Sequence, residues 1–293
     1  MTRKTPIFTV KKLVLALAIA GYTMSSAYAV LTNPTGSIQG SVPVLSAPSN
    51  AETPHTVDFT TSAQGSTLAT GDTITLTYNY NDADGDLDNS ASTAHTRWYY
   101  VTPGGDVAIA ASNIVNTVAT TASGGTGTSI LTIPAAAIGA SAIKVMITEY
   151  SASGDPISGQ EIVVADTNVG GGGTTTPPGP IAPGNNVVPG IYLSTDTAFA
   201  NNLIGTDTKL DVGSAYVFKL WDDAAQTTDL TGSVSYNWRL VGTSATDGNS
   251  APGEGYATNV TDANFTVPAN AEGKVLTGSE DGAQGFNLAV DYN

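Results

Sequence analysis

Apolar and polar residues alternate along this chain in short runs, most of them closed by Gly, Asn, Asp or Pro. Such runs occupy 55–60, 73–80, 95–101, 107–111, 113–120, 128–133, 142–150 and 160–165, and they are rich in Thr and Val. Side chains of a strand project to opposite faces in turn, so a period of two buries one face and wets the other. The pattern therefore predicts many short half-buried strands, and regular turn signals between them point to an all-β fold of β-sandwiches. Helix has little support. The run Pro134-Ala135-Ala136-Ala137-Ile138 predicts one short turn or a plain connector.

The alternating runs also repeat. Gly71, the strand 73–80, Trp98, Leu131-Thr132-Ile133-Pro134 and Tyr150 are answered in order by Gly213, the strand 215–220, Trp238, Phe265-Thr266-Val267-Pro268 and Tyr292. Glycine to tryptophan spans 27 residues in one copy and 25 in the other, while glycine to tyrosine spans 79 in both. One module used twice is the expected architecture: tandem immunoglobulin-like β-sandwich domains. Each tryptophan then falls mid-strand, where a sandwich buries it, and alternation turns Tyr99 outward if Trp98 faces the core.

The remaining segments set the boundaries. Residues 1–29 read as a signal peptide: Arg3, Lys4, Lys11 and Lys12, an apolar stretch at 13–20, then Ala27-Tyr28-Ala29 as the cleavage site. That apolar stretch is far short of the roughly 20 residues a spanning helix needs, and no later segment is long and apolar enough to span as a helix. A Pro/Gly-punctuated extended leader follows at 30–54, the first domain at 55–166, a Gly/Thr/Pro-rich linker at 167–188 and the second domain at 189–293. The core of that linker, 170–180, has the composition of a mobile joint leading into a stiff spacer. After Tyr150 the first domain continues into another strand, whereas the second copy has no matching run after Tyr292. The alternatives are a different strand arrangement, a blunt edge, or an open edge that accepts a strand from a partner.

Charge narrows the partners. Four of the ten basic residues and none of the 25 acidic ones lie within 1–29, which leaves six against 25, a formal −19. A surface of that sign repels phosphate backbones and anionic lipid heads, so nucleic acid and peripheral membrane partners are disfavoured. The chain has no cysteine, and with His55 and His95 its only histidines, a histidine-rich transition-metal site is excluded.

The sharpest local motif is Asp82-Ala83-Asp84-Gly85-Asp86-Leu87-Asp88. Carboxylates at alternate positions around a glycine turn can converge on Ca²⁺, which takes about six to eight oxygens. Asp82, Asp84, Asp86 and Asp88 are the candidate ligands; the competing reading is a solvated acidic loop. Thr93 stands where a helix-loop-helix calcium site would carry its bidentate glutamate. Asp222, Asp223 and Asp229 of the second copy lack the spacing. There is no Gly-x-Ser-x-Gly, and Gly124-Gly125-Thr126-Gly127-Thr128-Ser129 lacks the Lys of a phosphate loop.

The signal peptide ending Ala27-Tyr28-Ala29, the cysteine-free Thr/Gly-rich body, the joint at 170–180 and the paired Arg97-Trp98-Tyr99-Tyr100 and Tyr236-Asn237-Trp238-Arg239 strands together resemble a bacterial exported protein of the ZirS/ZirU type. That resemblance implies immunoglobulin-like domains, export through an intimin/invasin-like outer-membrane β-barrel partner, and a role in host interaction or virulence. The resulting expectation is a noncatalytic adhesin or virulence modulator, secreted or held at the bacterial surface, that binds a protein or glycan. A secreted carbohydrate-binding module is the alternative, and a secreted hydrolase a further one.

Overall fold

A computed structural model describes residues 31–293; the expected signal peptide lies outside them. Residues 31–38 form neither strand nor helix. Residues 39–293 form one compact unit. Among the described residues no helix is long and apolar enough to cross a membrane.

The first half carries β1 (Val44–Ser46), β2 (Asp58–Thr61), β3 (Thr73–Asn81), β4 (Thr96–Thr102), β5 (Gly105–Ala108), β6 (Ile114–Thr117), β7 (Ser123–Thr132), β8 (Ala142–Tyr150) and β9 (Ser158–Val164). Each of the alternating runs read from the sequence overlaps one of β2 to β9. Two antiparallel sheets result: β3 and β7 at the centre of one, with β1 and β2 on β3 and β6 on β7, and β5-β4-β8-β9 as the other. Alternation does what the sequence pattern requires. Ile74, Leu76, Tyr78 and Tyr80 of β3 meet Trp98 of β4 and Ile143, Val145 and Ile147 of β8 in one buried cluster. The leader contributes β1, an edge strand on β3.

The second half repeats this with β10 (Val188–Leu193), β11 (Ala215–Trp221), β12 (Tyr236–Gly242), β13 (Tyr256–Thr261), β14 (Phe265–Thr266) and β15 (Phe286–Tyr292), in sheets β10-β11-β14 and β13-β12-β15. The correspondence reaches single hydrogen bonds. Gly71 N–H donates to Ile133 C=O at 2.8 Å and Ile133 N–H to Asp72 C=O at 2.9 Å; Gly213 and Val267 repeat this at 2.8 Å, and Val267 and Ser214 at 3.0 Å. Both glycines hold φ +86°, a conformation that side chains strain.

Two elements depart from the sequence expectation. Asn270–Thr277 is an α-helix, where helix had little support. Its Gly273 weakens intrinsic propensity, but an added Cβ there would fall 2.7 Å from Ala283 N, so close packing requires the glycine. The turn expected at 134–138 is present as the 3₁₀ turn Ala135–Ala137. The stretch expected as a mobile joint is laced to the first half: Phe59 N–H donates to Thr174 C=O at 3.2 Å, Leu68 N–H to Pro178 C=O at 3.1 Å and Ile181 N–H to Ala140 C=O at 2.9 Å. Ile181 is buried in the first core. A Gly/Pro segment has freedom only while its backbone is solvated, and this one finds carbonyl and amide partners along a sheet margin. Ala135 and Ile138, from the turn after β7, belong to the second core.

Candidate cation site at the acidic loop

β3 sends even-numbered side chains inward, and Asp82 keeps that phase one residue beyond the strand. Its N–H donates to Ala122 C=O at 2.7 Å, and the side chain is 5% exposed, which makes it a core position occupied by a carboxylate. Oδ1 accepts the backbone N–H groups of Asp84 and Gly85 at 3.2 Å and of Asp86 at 3.3 Å. Gly85, at φ +97°, makes the turn that aims them. Oδ2 is buried and accepts no hydrogen bond; only when protonated would it donate to Asp84.

The next two carboxylates close over it. Asp84 Oδ2 accepts Ser41 N–H at 3.0 Å, and Asp86 Oδ1 accepts Ser153 Oγ–H at 2.5 Å. Gly40 N–H donates to Asp155 C=O at 2.6 Å, joining the leader to the same turn. Side chains are excluded where the carboxylates sit: a Cβ on Gly40 would fall 1.8 Å from Asp84 Oδ2, and one on Gly154 2.0 Å from Asp86 Oδ2. One carboxylate oxygen from each of Asp82, Asp84 and Asp86 lies within 4.8 Å of the others.

Electrostatics agree with the geometry. Burial raises the Asp82 carboxyl above its ordinary value, and the neighbouring Asp84 carboxylate adds to it. Asp84 is lowered, because it takes the hydrogen bond from Asp82 and the Ser41 N–H. Tyr80 is pushed up, first by burial and then by the charges of Asp82, Asp88, Asp86 and Asp84, and its hydroxyl is buried without a partner. Crowded carboxylates around an orphaned buried oxygen form a donor set suited to a hard cation.

Asp88 does not join them. Its Oδ2 accepts Tyr78 Oη–H at 2.5 Å and Ala119 N–H at 2.7 Å, and its Oδ1 accepts Ser90 N–H at 2.7 Å. The fourth expected ligand is thus a buried structural anchor, turned inward by Tyr78 and Ala119 from other strands and loops as well as by its neighbour Ser90. In the second half, Asp222 and Asp223 accept from Thr228 and Thr227, and Asp229 pairs with Lys219.

Ser41, Ser153 and Tyr80 also border the loop, and nothing in the local sequence marks the serines. Trp98 and Trp238 are buried, each indole N–H satisfied, by Ser129 Oγ at 2.9 Å and Ala263 C=O at 2.7 Å. Tyr99 is half-buried, with the Lys144 ammonium 5.7 Å from its ring centre. His95 stacks on Tyr150 with ring centres 3.6 Å apart, and burial lowers its pKa. The glycine-rich run at 124–129 lies in β7, where a Cβ on Gly127 would fall 2.2 Å from the Tyr78 ring. No protein-family model matches this chain, and no curated protein matches it in sequence.

Proposed function

We propose that this chain is a noncatalytic exported adhesin or virulence-modulating protein, built from two immunoglobulin-like sandwiches and ordered at one pole by Ca²⁺. The observation that carries the calcium reading is Asp82, whose buried Oδ2 accepts no hydrogen bond and whose carboxylate brings an oxygen within 4.8 Å of one from each of Asp84 and Asp86. Protein interiors do not keep such an oxygen unmatched without cost, and a bound cation satisfies it. Carbonyls and water would supply the rest of the six to eight oxygens that Ca²⁺ takes.

Strand order supports the immunoglobulin-like reading. Lettered A, B, E and D, the strands β2, β3, β7 and β6 form one sheet; lettered C′, C, F and G, β5, β4, β8 and β9 form the other, with a buried tryptophan on C. Such sandwiches present loops at their ends on a rigid body, an arrangement suited to binding a protein or glycan at a cell surface. The loop at 82–88 holds the leader through Ser41 and the turn through Ser153, so a cation there would set the angle at which the leader leaves the domain. An outer-membrane β-barrel export partner would engage that leader.

Calorimetric titration of the chain from Val30 onward with Ca²⁺, beside the Asp84→Ala/Asp86→Ala variant, tests the site. Saturable binding lost in the variant supports it; no heat in the parent refutes it. Binding of the labelled protein to host cells, with Ca²⁺ and with a chelator, tests the adhesin reading: saturable attachment supports it, and its absence in both conditions overturns it.

A further inference from the structure

Tyr78 and Tyr80 stand two residues apart on β3, both turned inward and both wholly buried. Tyr78 satisfies its hydroxyl: Oη–H donates to Asp88 Oδ2 at 2.5 Å, and Oη accepts Ala91 N–H at 3.0 Å. Tyr80 does not. Its Oη is buried and makes no hydrogen bond, although the charges of Asp82, Asp88, Asp86 and Asp84 all act on it. The hydroxyl therefore stands near the acidic loop yet beyond hydrogen-bonding distance of each carboxylate.

The surrounding strands fix it there. Leu45 of β1 and Gly125 of β7 are its ladder partners, one on each side. Asp82 is the next inward position of the same strand, and its Oδ2 also accepts no hydrogen bond. Phenylalanine would fill the space of Tyr80 without the cost of an unmatched buried hydroxyl, so that hydroxyl calls for a partner from outside the polypeptide.

We propose that Tyr80 positions the cation of the acidic loop: its Oη accepts a hydrogen bond from a water in the inner shell of a Ca²⁺ held by Asp82, Asp84 and Asp86. This assignment rests on the calcium reading above and adds to it a residue outside the aspartate motif. A cation polarises its water and makes it a strong donor. Such a water needs about two to four polar partners, and the cation, Tyr80 Oη and a loop carboxylate supply three. The phenol thus orients the cation's shell from the core side, while Asp84 and Asp86 close it from the solvent side.

Tyr80→Phe, in the chain from Val30 onward, removes only the oxygen. In chelator the variant melts at the same temperature as the parent or higher, because an unmatched hydroxyl is all it has lost. Calorimetric titration gives it a Ca²⁺ Kd raised about tenfold, the scale at which partners of a metal's ligands act. At one Ca²⁺ concentration above both Kd values, the ion raises the parent's Tm further than the variant's. Tyr256→Phe, on β13 of the second half, leaves the Kd unchanged. A Tyr80→Phe protein that melts below the parent in chelator, or does not fold, shows that the polypeptide itself uses the hydroxyl and overturns the proposal. An unchanged Kd beside a parent that binds Ca²⁺ overturns it too and leaves the calcium reading standing. A parent that binds no Ca²⁺ overturns both.

Discussion

Glu149 and His55 meet at 2.8 Å between Oε1 and Nδ1, with the carboxylate wholly shielded from water. The same Oε1 accepts Leu45 N–H at 2.8 Å, and Oε2 accepts Gln160 N–H at 2.9 Å. One side chain of β8 therefore holds the leader strand, the segment entering β2, and β9. Glu149→Ala leaves those donors without their acceptor and is expected to lower stability by about 3–5 kcal/mol, read by urea unfolding. Glu149→Gln keeps the volume and one acceptor and should cost less.

Asp58 links three segments in the same way. Its carboxylate accepts Ser49 N–H at 2.7 Å, Ser49 Oγ–H at 2.6 Å and Thr174 N–H at 3.2 Å. Burial raises its pKa, but the bonds from Ser49 and Thr174 outweigh burial and hold it below the ordinary value. A depressed folded pKa means stabilisation that is complete above the unfolded value, about 3.9, and is lost as pH falls through the folded one. Asp58→Asn should cost about 2 kcal/mol at pH 7. The gap from the parent should shrink on acidification below about pH 4, as measured by thermal unfolding.

Gly71 and Gly213 separate conformational cost from steric cost. Both hold φ +86°, yet a Cβ meets Asn185 Oδ1 at 2.3 Å in the first and nothing within 4 Å in the second. Gly213→Ala should destabilise by about 1–2 kcal/mol from backbone strain alone. Gly71→Ala should cost that amount and the displacement of Asn185 as well. Equal losses in chemical denaturation would refute the distinction.

Trp98 and Tyr99 are neighbours with opposite roles. Trp98→Ala opens a cavity and strands Ser129, and an expected loss of about 3–5 kcal/mol should show as a large drop in Tm. Tyr99→Ala removes a half-buried ring beside Lys144 and should cost roughly 1 kcal/mol or less. This second variant stays folded, so it can test whether the ring contributes to ligand binding.

Much of the fold was legible because alternation is a local property. Every run read as a strand in the first half overlaps one, and two of the shared landmarks, Gly71 with Ile133 and Gly213 with Val267, make matching hydrogen bonds. β7 starts at Ser123, earlier than its apolar run suggests, because Gly124, Gly125 and Gly127 carry no hydrophobic signal. In the helix Asn270–Thr277, local propensity yields to packing: Thr277 Oγ donates to Gly282 C=O at 2.8 Å, and Gly278 closes the end at φ +75°.

The acidic loop marks where local reading ends. The Asp-x-Asp-Gly-Asp spacing identified Asp82, Asp84 and Asp86, because a glycine turn brings alternate carboxylates together whatever surrounds them. It could not separate Asp88, whose direction depends on Tyr78, Ser90 and Ala119, or find Ser41 and Ser153. The sequence by itself determined where β2 to β9 lie and the inward faces of strands such as β3 and β8, since each follows from side-chain alternation within a few residues. Only the tertiary structure decided which carboxylates turn inward and where the Gly/Pro stretch docks, because those outcomes depend on hydrogen-bond partners distant in the chain.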